Sequence, residues 1–355
     1  MAYTTINKSS DYFDTKIYTQ SGSSNNGDTQ TITMDNVGFT WFKNRDYINA
    51  HALFDIVRGG DKLLATNGTG AEETVGGGIT FGASDTTIGA DTGGYGFNNR
   101  VGDDYVAWHW RTDGTTGSSN TDGSITSTVS ANTTSGFSIA QWTGTGSNAT
   151  IGHGLGVTPK CFLIKKTSGT SAWSMYHESV GNTKFITFNS FDVATTGSTV
   201  WNNTSPTSSV FSVGTGDNGN ASGATYIGYF FAEKTGFSKM GIVDGNANSS
   251  SPSFIYTGFK PSFVMLKISE TGGSDTGGAV MYDNKRYPNN LSNSPVLFGN
   301  LSNAESDAYN LEMFSNGFRF NSTSVTVNGS GNKYIYMAFA EAPLVGSNNV
   351  PATAR

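Results

Sequence analysis

Cysteine is almost absent from this sequence, which excludes a disulfide framework within the chain. Cys161 is the only cysteine among 355 residues, and a disulfide needs two. It lies in an apolar stretch, where a free thiol behaves as a small hydrophobic side chain. We therefore expect burial or assembly, and not covalent cross-links, to hold the fold together.

Charged residues are scarce as well. They make up 14% of the chain, the formal net charge is −6, and the basic runs extend no further than Lys165-Lys166 and Lys285-Arg286. A nucleic-acid-binding surface needs a stripe of Lys and Arg that replaces the phosphate counterions. The sequence therefore predicts no nucleic-acid partner.

Long apolar runs are also missing. No stretch approaches the roughly 20 residues with which a helix spans a bilayer. Residues 1–10 lack the basic start and apolar run of a signal peptide. We expect no membrane insertion, and synthesis in a cytoplasm without export by a signal peptide.

Glycine and aromatic residues are what the chain has in quantity. There are 46 Gly against 8 Pro, together with 6 Trp, 15 Tyr and 23 Phe. Glycine, with the many Ser, Thr and Asn residues, is typical of turns and strands and not of helices. The aromatic side chains supply the apolar mass that a disordered chain lacks. The composition predicts an ordered, loop-rich, all-β protein.

The sequence repeats itself three times. Aromatic strands recur at residues 105–110, 226–233 and 334–341. In the first two copies, four residue pairs lie 122 positions apart, namely Lys43 and Lys165, Phe54 and Tyr176, Lys62 and Lys184, and Asn67 and Asn189. The third copy follows with looser spacing at Lys267, Tyr282 and Asn300. A repeat of this kind indicates one structural unit used three times, so we predict three tandem homologous β-sandwich modules of the jelly-roll-like type.

The copies and the segments between them set the predicted domain boundaries. These are an N-terminal arm at 1–16, module 1 at 17–116, a segment at 117–136, module 2 at 137–235, module 3 at 236–343 and a C-terminal arm at 344–355. The segment at 117–136 is a polar linker by composition, and an edge strand over 124–131 is the alternative. The second and third copies abut directly, so we expect them to share an interface.

Catalytic motifs are not found, and we predict no catalytic residues, no metal ligands and no cofactor. No nucleophile elbow, zinc-protease helix or phosphate-binding loop is present. The adjacent carboxylates Glu72-Glu73 and Asp103-Asp104 point to opposite faces of a strand, which does not suit a glycosidase. A calcium site at residues 214–220, or at Asp85 with Asp91, remains a less favoured alternative to a polar turn.

The histidines also favour structural roles. His153 lies in a glycine-rich turn without a nearby carboxylate or cysteine, which favours a hydrogen-bonding role. His109 corresponds to Phe230 and Ala338 in the other copies, and a position that accepts Phe and Ala does not carry catalysis. His177 corresponds to Asp55 and Asp283.

Three tryptophans are the candidates for ligand binding. Trp142, Trp173 and Trp201 each lie beside turn residues, where an indole ring can stack on the face of a sugar. The alternative is that the three indoles close the ends of the module cores. For Trp142 the core role is favoured, whereas the two roles are evenly balanced for Trp201.

Several segments together resemble a known family. They include Ile151-Gly-His-Gly-Leu-Gly-Val-Thr-Pro159, Val200-Trp-Asn-Asn-Thr204, Phe230-Phe-Ala-Glu233 and, in the third copy, Tyr334-Ile-Tyr-Met-Ala-Phe-Ala-Glu341. The pattern resembles the repeated modules of tail-fibre-like virion proteins of marine tailed phages, including cyanobacterial phages. The first copy departs from it, since it ends in Trp110-Arg111 and not in Ala-Glu.

The resemblance implies a virion component that is assembled in the host cytoplasm. The leading interpretation is a non-enzymatic tail fibre or tail-attached appendage that contacts the host surface, with other virion proteins and a host surface glycan as partners. A head fibre or capsid decoration protein is the first alternative, and a carbohydrate-binding module of a secreted system is the second. Fibrous phage appendages are commonly trimeric, so a homotrimer is expected, although three internal repeats can also build a pseudo-threefold unit from one chain.

Overall fold

The computed structural model describes residues 4–23, 26–273, 277–290 and 294–345. The protein is all-β, with 44% of the residues in strands and 3% in helices. The helical pieces are single turns, at Ser9–Asp11 (3₁₀), Ser198–Trp201 (α1) and Asp217–Asn220 (α2). The predicted fold class is therefore confirmed at the level of an all-β protein with antiparallel sheets.

The first region, residues 13–111, forms a main sheet that is covered on one face by a smaller sheet. Its strands are β1 (Phe13–Thr19), β2 (Gly22–Ser23), β3 (Asn26–Gly27), β4 (Gln30–Thr33), β5 (Val37–Asn44), β6 (Ala52–Asp55), β7 (Gly59–Leu64), β8 (Glu73–Thr74), β9 (Ile79–Thr80), β10 (Asp85–Ile88) and β11 (Asp104–Arg111). The main sheet has the order β1-β11-β5-β6-β7-β8, the smaller sheet has the order β4-β10-β9, and β2 pairs with β3. Ile32 and Ile88 of the smaller sheet pack in one apolar cluster with Phe42 and Phe54 of the main sheet.

The second region, residues 118–231, is built in the same way. Its strands are β12 (Ser118–Asn120), β13 (Ser127–Asn132), β14 (Phe137–Thr143), β15 (Ala149–Gly152), β16 (Cys161–Lys166), β17 (Ser174–His177), β18 (Lys184–Thr187), β19 (Thr195–Thr196), β20 (Val210–Val213) and β21 (Thr225–Phe231). The main sheet has the order β12-β13-β14-β21-β16-β17-β18-β19, and β15 pairs with β20. Phe211 of β20 contacts Phe162 and Phe230 of the main sheet, with ring centroids 5.3 and 4.9 Å apart.

The third region, residues 238–343, completes the chain. Its strands are β22 (Ser238–Asp244), β23 (Ile255–Tyr256), β24 (Phe259–Glu270), β25 (Val280–Asp283), β26 (Pro295–Phe298), β27 (Ser306–Asp307), β28 (Leu311–Phe314), β29 (Gly317–Phe320) and β30 (Lys333–Pro343). The main sheet has the order β22-β30-β24-β25-β26-β27, and the smaller sheet has the order β23-β29-β28.

The three main sheets share one strand order. In each, the first of the shared strands pairs with the last strand of the region, which pairs in turn with the next strand along the chain, as in β1-β11-β5, β14-β21-β16 and β22-β30-β24. We call two positions equivalent when they have the same place in this strand order and register, or, outside the strands, the same distance along the chain from such a strand. The second sheet alone adds two strands, β12 and β13, beyond its shared edge.

Both faces of each main sheet are covered, which explains the long apolar runs. In β11, Val106 and Trp108 face a core shared by all three regions, whereas Ala107 faces the smaller sheet of its own region. A strand with two buried faces has no need to alternate apolar with polar residues. The buried run in β5, from Val37 to Asn44, has the same cause.

Two of the expected segments contain strands, and a third lies mostly outside the described residues. The first strand begins at Phe13, so part of the segment at 1–16 belongs to the sheet. The segment at 117–136 contains β12 and β13, which lie at a sheet edge. Of the segment at 344–355, only residues 344 and 345 lie within the described part of the chain.

Candidate functional site

Three equivalent aromatic rings meet at the centre of the molecule. Trp110 and Phe231 are 6.0 Å apart between ring centroids, Trp110 and Phe339 are 5.5 Å apart, and Phe231 and Phe339 are 5.9 Å apart. Each ring comes from the last strand of a different region, β11, β21 or β30. The three main sheets therefore meet at one aromatic centre.

The opposite end of the core is also formed by equivalent positions, but with unequal side chains. Thr66, Phe188 and Gly299 lie there, and the hydroxyl of Thr66 donates to the carbonyl oxygen of Gly299 at 2.6 Å. A β-carbon on Gly299 would lie 3.0 Å from the Phe188 ring. Glycine in the third region therefore makes room for the phenylalanine of the second.

A backbone hydrogen bond crosses each of the three joints between regions, always at equivalent positions. The pairs are Glu72 N–H to Thr167 O at 2.9 Å, Ala194 N–H to Ser269 O at 2.9 Å, and Glu305 N–H to Arg45 O at 2.7 Å. The first region thus contacts the second, the second contacts the third, and the third returns to the first. The chain closes into a ring.

Side-chain nitrogens reinforce two of these joints. Trp173 Nε1 donates to the carbonyl oxygen of Ala65 at 2.9 Å. The equivalent His51 places Nε2 at 2.8 Å from the carbonyl oxygen of Phe298, while its Nδ1 accepts from Trp41 Nε1 at 2.7 Å. The third equivalent position is Ala279, whose side chain has no nitrogen.

A buried charge network lies at the joint between the third and first regions. Asp283 accepts from Arg286 Nε at 2.6 Å, and Arg286 donates to Glu305 at 2.7 Å. Arg45 of the first region reaches the other oxygen of Glu305 at 2.7 Å, and Trp108 Nε1 donates to Asp283 at 3.0 Å. Burial alone would raise the pKa of Glu305, but the two arginines outweigh it and hold that pKa below its usual value.

The joint between the first and second regions repeats this network. Asp55 accepts from Arg58 Nε at 2.6 Å and from the Tyr229 hydroxyl at 2.8 Å, and Arg58 also donates to Glu72 at 3.1 Å. Burial works against the charge of Arg58, but the neighbouring Asp55 raises the pKa of the guanidinium above its ordinary value. Leaving any member of such a buried set without its partner is costly.

The second region replaces all three charged residues together. His177 takes the place of the aspartate, Val180 that of the arginine and Ala194 that of the glutamate. His177 keeps the turn by accepting from Ser179 N–H at 3.2 Å through Nδ1, and its Nε2 lies 3.3 Å from the carbonyl oxygen of Tyr336 in the third region. The joint between the second and third regions therefore lacks the buried Asp–Arg–Glu set of the other two joints.

The extent of this ring along the chain agrees with the extent of a family match. A family model described as Domain of unknown function (DUF7483) matches residues 8–343. The chain belongs to this family. The match covers the strands of all three main sheets, so the DUF7483 unit comprises the whole ring. No curated protein and no solved structure matches the chain at a significant level.

Three equivalent lysines of the DUF7483 chain are buried near the joints. Lys165 Nζ donates to Thr69 O at 3.1 Å and to Ser171 O at 2.8 Å, and Lys267 Nζ donates to Ser190 O at 2.7 Å. Lys43 donates to carbonyl oxygens of its own region. Burial lowers the pKa of all three ammonium groups to about 8. Lys165 and Lys267 thus each tie their region to the preceding one, whereas these bonds of Lys43 stay within the first region.

The histidines are buried in structural contacts. His153 lies 3.2 Å from Thr207 O through Nε2 and accepts from Leu155 N–H at 3.2 Å. His109 lies 3.2 Å from the Thr40 hydroxyl through Nδ1, and its Nε2 has no hydrogen-bond partner. Burial lowers the pKa of His51 and His109 to about 3 and that of His177 to about 4.

The three candidate tryptophans lie in the core. Trp142, Trp173 and Trp201 are 3%, 0% and 1% exposed. Trp142 Nε1 donates to Gly219 O at 3.1 Å, and the Trp201 ring stands edge-on to Phe162 with centroids 5.0 Å apart. None of the three presents a ring face at the surface, so none is placed to stack on a sugar.

The calcium candidates form polar turns at Asp91 and Asp217, whereas Asp85 is the first residue of β10. The carboxylate of Asp91 accepts the N–H groups of four residues between 93 and 97. Asp217 pairs with Lys166 at 2.8 Å. Among the described residues, no group of three or more His, Cys, Asp or Glu side chains is placed to hold a metal ion. In the same part of the chain, no helix has the length and apolarity to cross a membrane.

Exposed aromatics are found in β23 of the third region and directly before it. Phe254 and Tyr256 are 47% and 55% exposed. Phe254 and Phe314 lie 5.7 Å apart between centroids, and the guanidinium of Arg319 lies 5.2 Å above Phe314. The sequence does not single out these two rings, since the apolar run Phe254-Ile255-Tyr256 does not show which of its side chains are exposed.

Proposed function

We propose that this DUF7483 chain is a non-enzymatic structural protein of a tailed-phage virion, a tail fibre or tail-attached appendage that contacts the host surface. We further propose that its three regions are homologous β-sandwich modules of the jelly-roll-like type. The observation that carries the proposal is the ring, because the acidic and basic side chains buried at its joints are engaged in holding the regions together.

The construction of the ring supports a mechanical role. Equivalent hydrogen bonds at all three joints and a shared aromatic centre make the ring one packed body. Such a body needs no disulfide, which suits a protein that is assembled in a reducing cytoplasm and acts after release. The resemblance of the repeated segments to tail-fibre-like proteins supports the same setting.

The arrangement also bears on assembly. The three regions already meet at one aromatic centre, so a single chain can supply the threefold pattern that a homotrimer would otherwise build. This supports the pseudo-threefold alternative, while homotrimerisation on or off the particle stays a prediction. Light scattering on the isolated protein decides between them, since a mass near 37.5 kDa contradicts an intrinsic trimer.

Two alternatives differ in what supports them. A head fibre or capsid decoration protein shares the same ring and differs only in its place on the particle. A carbohydrate-binding module is favoured by Phe254 and Tyr256, whose exposed rings offer the faces on which sugars stack. Replacing both by Ala should abolish any glycan binding of the isolated protein and leave its attachment to particles unchanged.

Particle labelling tests the proposal. Antibodies raised against the purified ring are applied to intact particles of the source phage and located by immunogold electron microscopy. Gold at the tail supports the appendage, and gold at the head supports the decoration protein. Purified particles without the chain, together with glycan affinity of the isolated protein, would overturn the virion assignment.

A further inference from the structure

The three main sheets treat the same edge in different ways. In the second region, β14 is covered by β13, which pairs with it from Thr128 opposite Gln141 to Asn132 opposite Phe137. The equivalent strands β1 and β22 are the last strands of their sheets in the described part of the chain. Two of three equivalent edges are therefore open, and the third shows how a strand fits there.

Both open edges expose an isoleucine at the same position. Ile17 of β1 pairs with Val106 and is 42% exposed, and Ile242 of β22 pairs with Ile335 and is 40% exposed. The equivalent residue in the covered edge is Gln141, which lies opposite Thr128 of β13. A polar residue thus occurs where the edge is covered, and an apolar residue occurs at each open edge.

At each open edge, the backbone N–H group at one equivalent position donates to a nearby carboxylate. Thr15 N–H donates to Asp14 Oδ1 at 2.8 Å in β1, and the equivalent Met240 N–H donates to Glu233 Oε1 at 2.8 Å in β22. The equivalent residue of the covered strand, Ile139, lies opposite Ser130 of β13. At each open edge, an acidic side chain therefore binds an N–H group whose equivalent in the second region lies opposite the added strand β13. An unprotected edge would pair without control.

We propose that β1 and β22 are docking edges for an extended, uncharged strand of another protein chain, which pairs antiparallel as β13 does on β14. The occupant is specified by β13 itself. Its six residues, Ser127–Asn132, carry no charge and are mostly small or β-branched, and Val129 packs into the core of the second region. Strand addition of this kind draws its affinity from main-chain hydrogen bonds and its specificity from alternate side chains.

Hydrogen exchange on the full-length protein tests this docking. The probe is a synthetic peptide with the sequence of residues 125–133, and the control is a scrambled peptide of the same composition. We expect the peptide to slow exchange in β1 and β22 and to leave β14 unchanged. This inference does not depend on the virion assignment, because it concerns the edges alone.

Matched variants assign the effect to each edge. Glu233→Ala frees the Met240 N–H, so it should strengthen peptide binding at β22 about fivefold and leave β1 unchanged. Asp14→Ala should do the same at β1. Ile242→Lys places a charge at the exposed position of β22 and should abolish protection there while β1 stays protected.

Two outcomes would overturn the docking edges. The first is the absence of protection in both strands at millimolar peptide in a protein that circular dichroism shows to be folded. The second is protection that rises with protein concentration without peptide, because a second copy of the ring would then be the occupant.

Discussion

The amide of Glu305 donates a hydrogen bond to the carbonyl oxygen of Arg45 at 2.7 Å, and the guanidinium of Arg45 returns to the carboxylate of the same glutamate at 2.7 Å. The two residues are 260 positions apart. This double contact closes the ring by joining its third region to its first. Since the other two joints have the same backbone contact, the stability of each region depends on its neighbours on both sides.

Truncation of the central triangle should destabilise the whole ring. Trp110→Ala removes a buried indole that touches the equivalent aromatic residues of both other sheets, and such truncations cost about 3–5 kcal/mol. We expect one cooperative denaturant transition, shifted as a unit, by circular dichroism and fluorescence. Ile48→Ala, at a residue that is 66% exposed, is the control and should change stability by less than about 0.5 kcal/mol. Separate transitions for the three regions would contradict the shared core.

The sequence predicts the ring in part. The constant spacing of 122 places Lys43 opposite Lys165, and the structure puts both at equivalent buried positions near the joints. The same spacing places Glu72 opposite Ala194, yet the amide hydrogen bonds of these residues could not be foreseen. A carbonyl acceptor can be any residue type, so a backbone joint has no sequence pattern.

The candidate sites were harder to predict. Trp201 was considered for ligand binding because turn residues follow it, and Asn202 does adopt a left-handed conformation at φ 50°. The indole nevertheless turns inward, since its large apolar area gains most from burial. Arg58 and Arg286 were missed, although each follows its aspartate by three residues in both copies. That repeated Asp-x-x-Arg spacing was the available signal.

Removal of one member of the charge network should cost more than removal of all three. Arg58→Val leaves Asp55 and Glu72 without their buried partner, which we expect to cost about 3–5 kcal/mol. The triple variant Asp55→His, Arg58→Val, Glu72→Ala copies the natural composition of the second region and should recover a large part of that loss. Urea unfolding of the single and triple variants measures how strongly the contributions of the three residues to the free energy of unfolding depend on one another. A triple variant that is less stable than Arg58→Val would show that Asp55 and Glu72 stabilise the joint even without the arginine, which contradicts this prediction.

Replacement of His109 by Phe should remove part of the acid sensitivity. Burial lowers the pKa of His109 to about 3, whereas an unfolded histidine has a pKa of about 6.5. Between these values the unfolded chain binds more protons, so the wild-type protein loses stability as the pH falls from 6.5 toward 3. His109→Phe introduces the residue type of the equivalent Phe230. As the pH is lowered from 6 to 4, its free energy of unfolding should rise relative to that of the wild type by about 1 kcal/mol per pH unit. Urea unfolding at pH 7, 6, 5 and 4 measures the difference, and parallel curves would contradict it.

Replacement of Lys165 should alter the response to alkaline pH. Burial lowers the pKa of Lys165 to about 8, and an unfolded lysine has a pKa near 10.4. Between these values the unfolded state binds more protons, so the lysine makes the wild-type protein more stable as the pH rises from 8 to 10. Lys165→Met lacks this gain. Its free energy of unfolding should therefore fall relative to that of the wild type by up to about 1 kcal/mol per pH unit as the pH rises from 8 to 10. The buried tyrosines titrate in both proteins and cancel in the comparison. Lys285→Met, at an exposed lysine, is the control and should run parallel to the wild type. If the Lys165→Met curve is also parallel from pH 8 to 10 in guanidinium titrations, the ammonium is not buried as the ring requires.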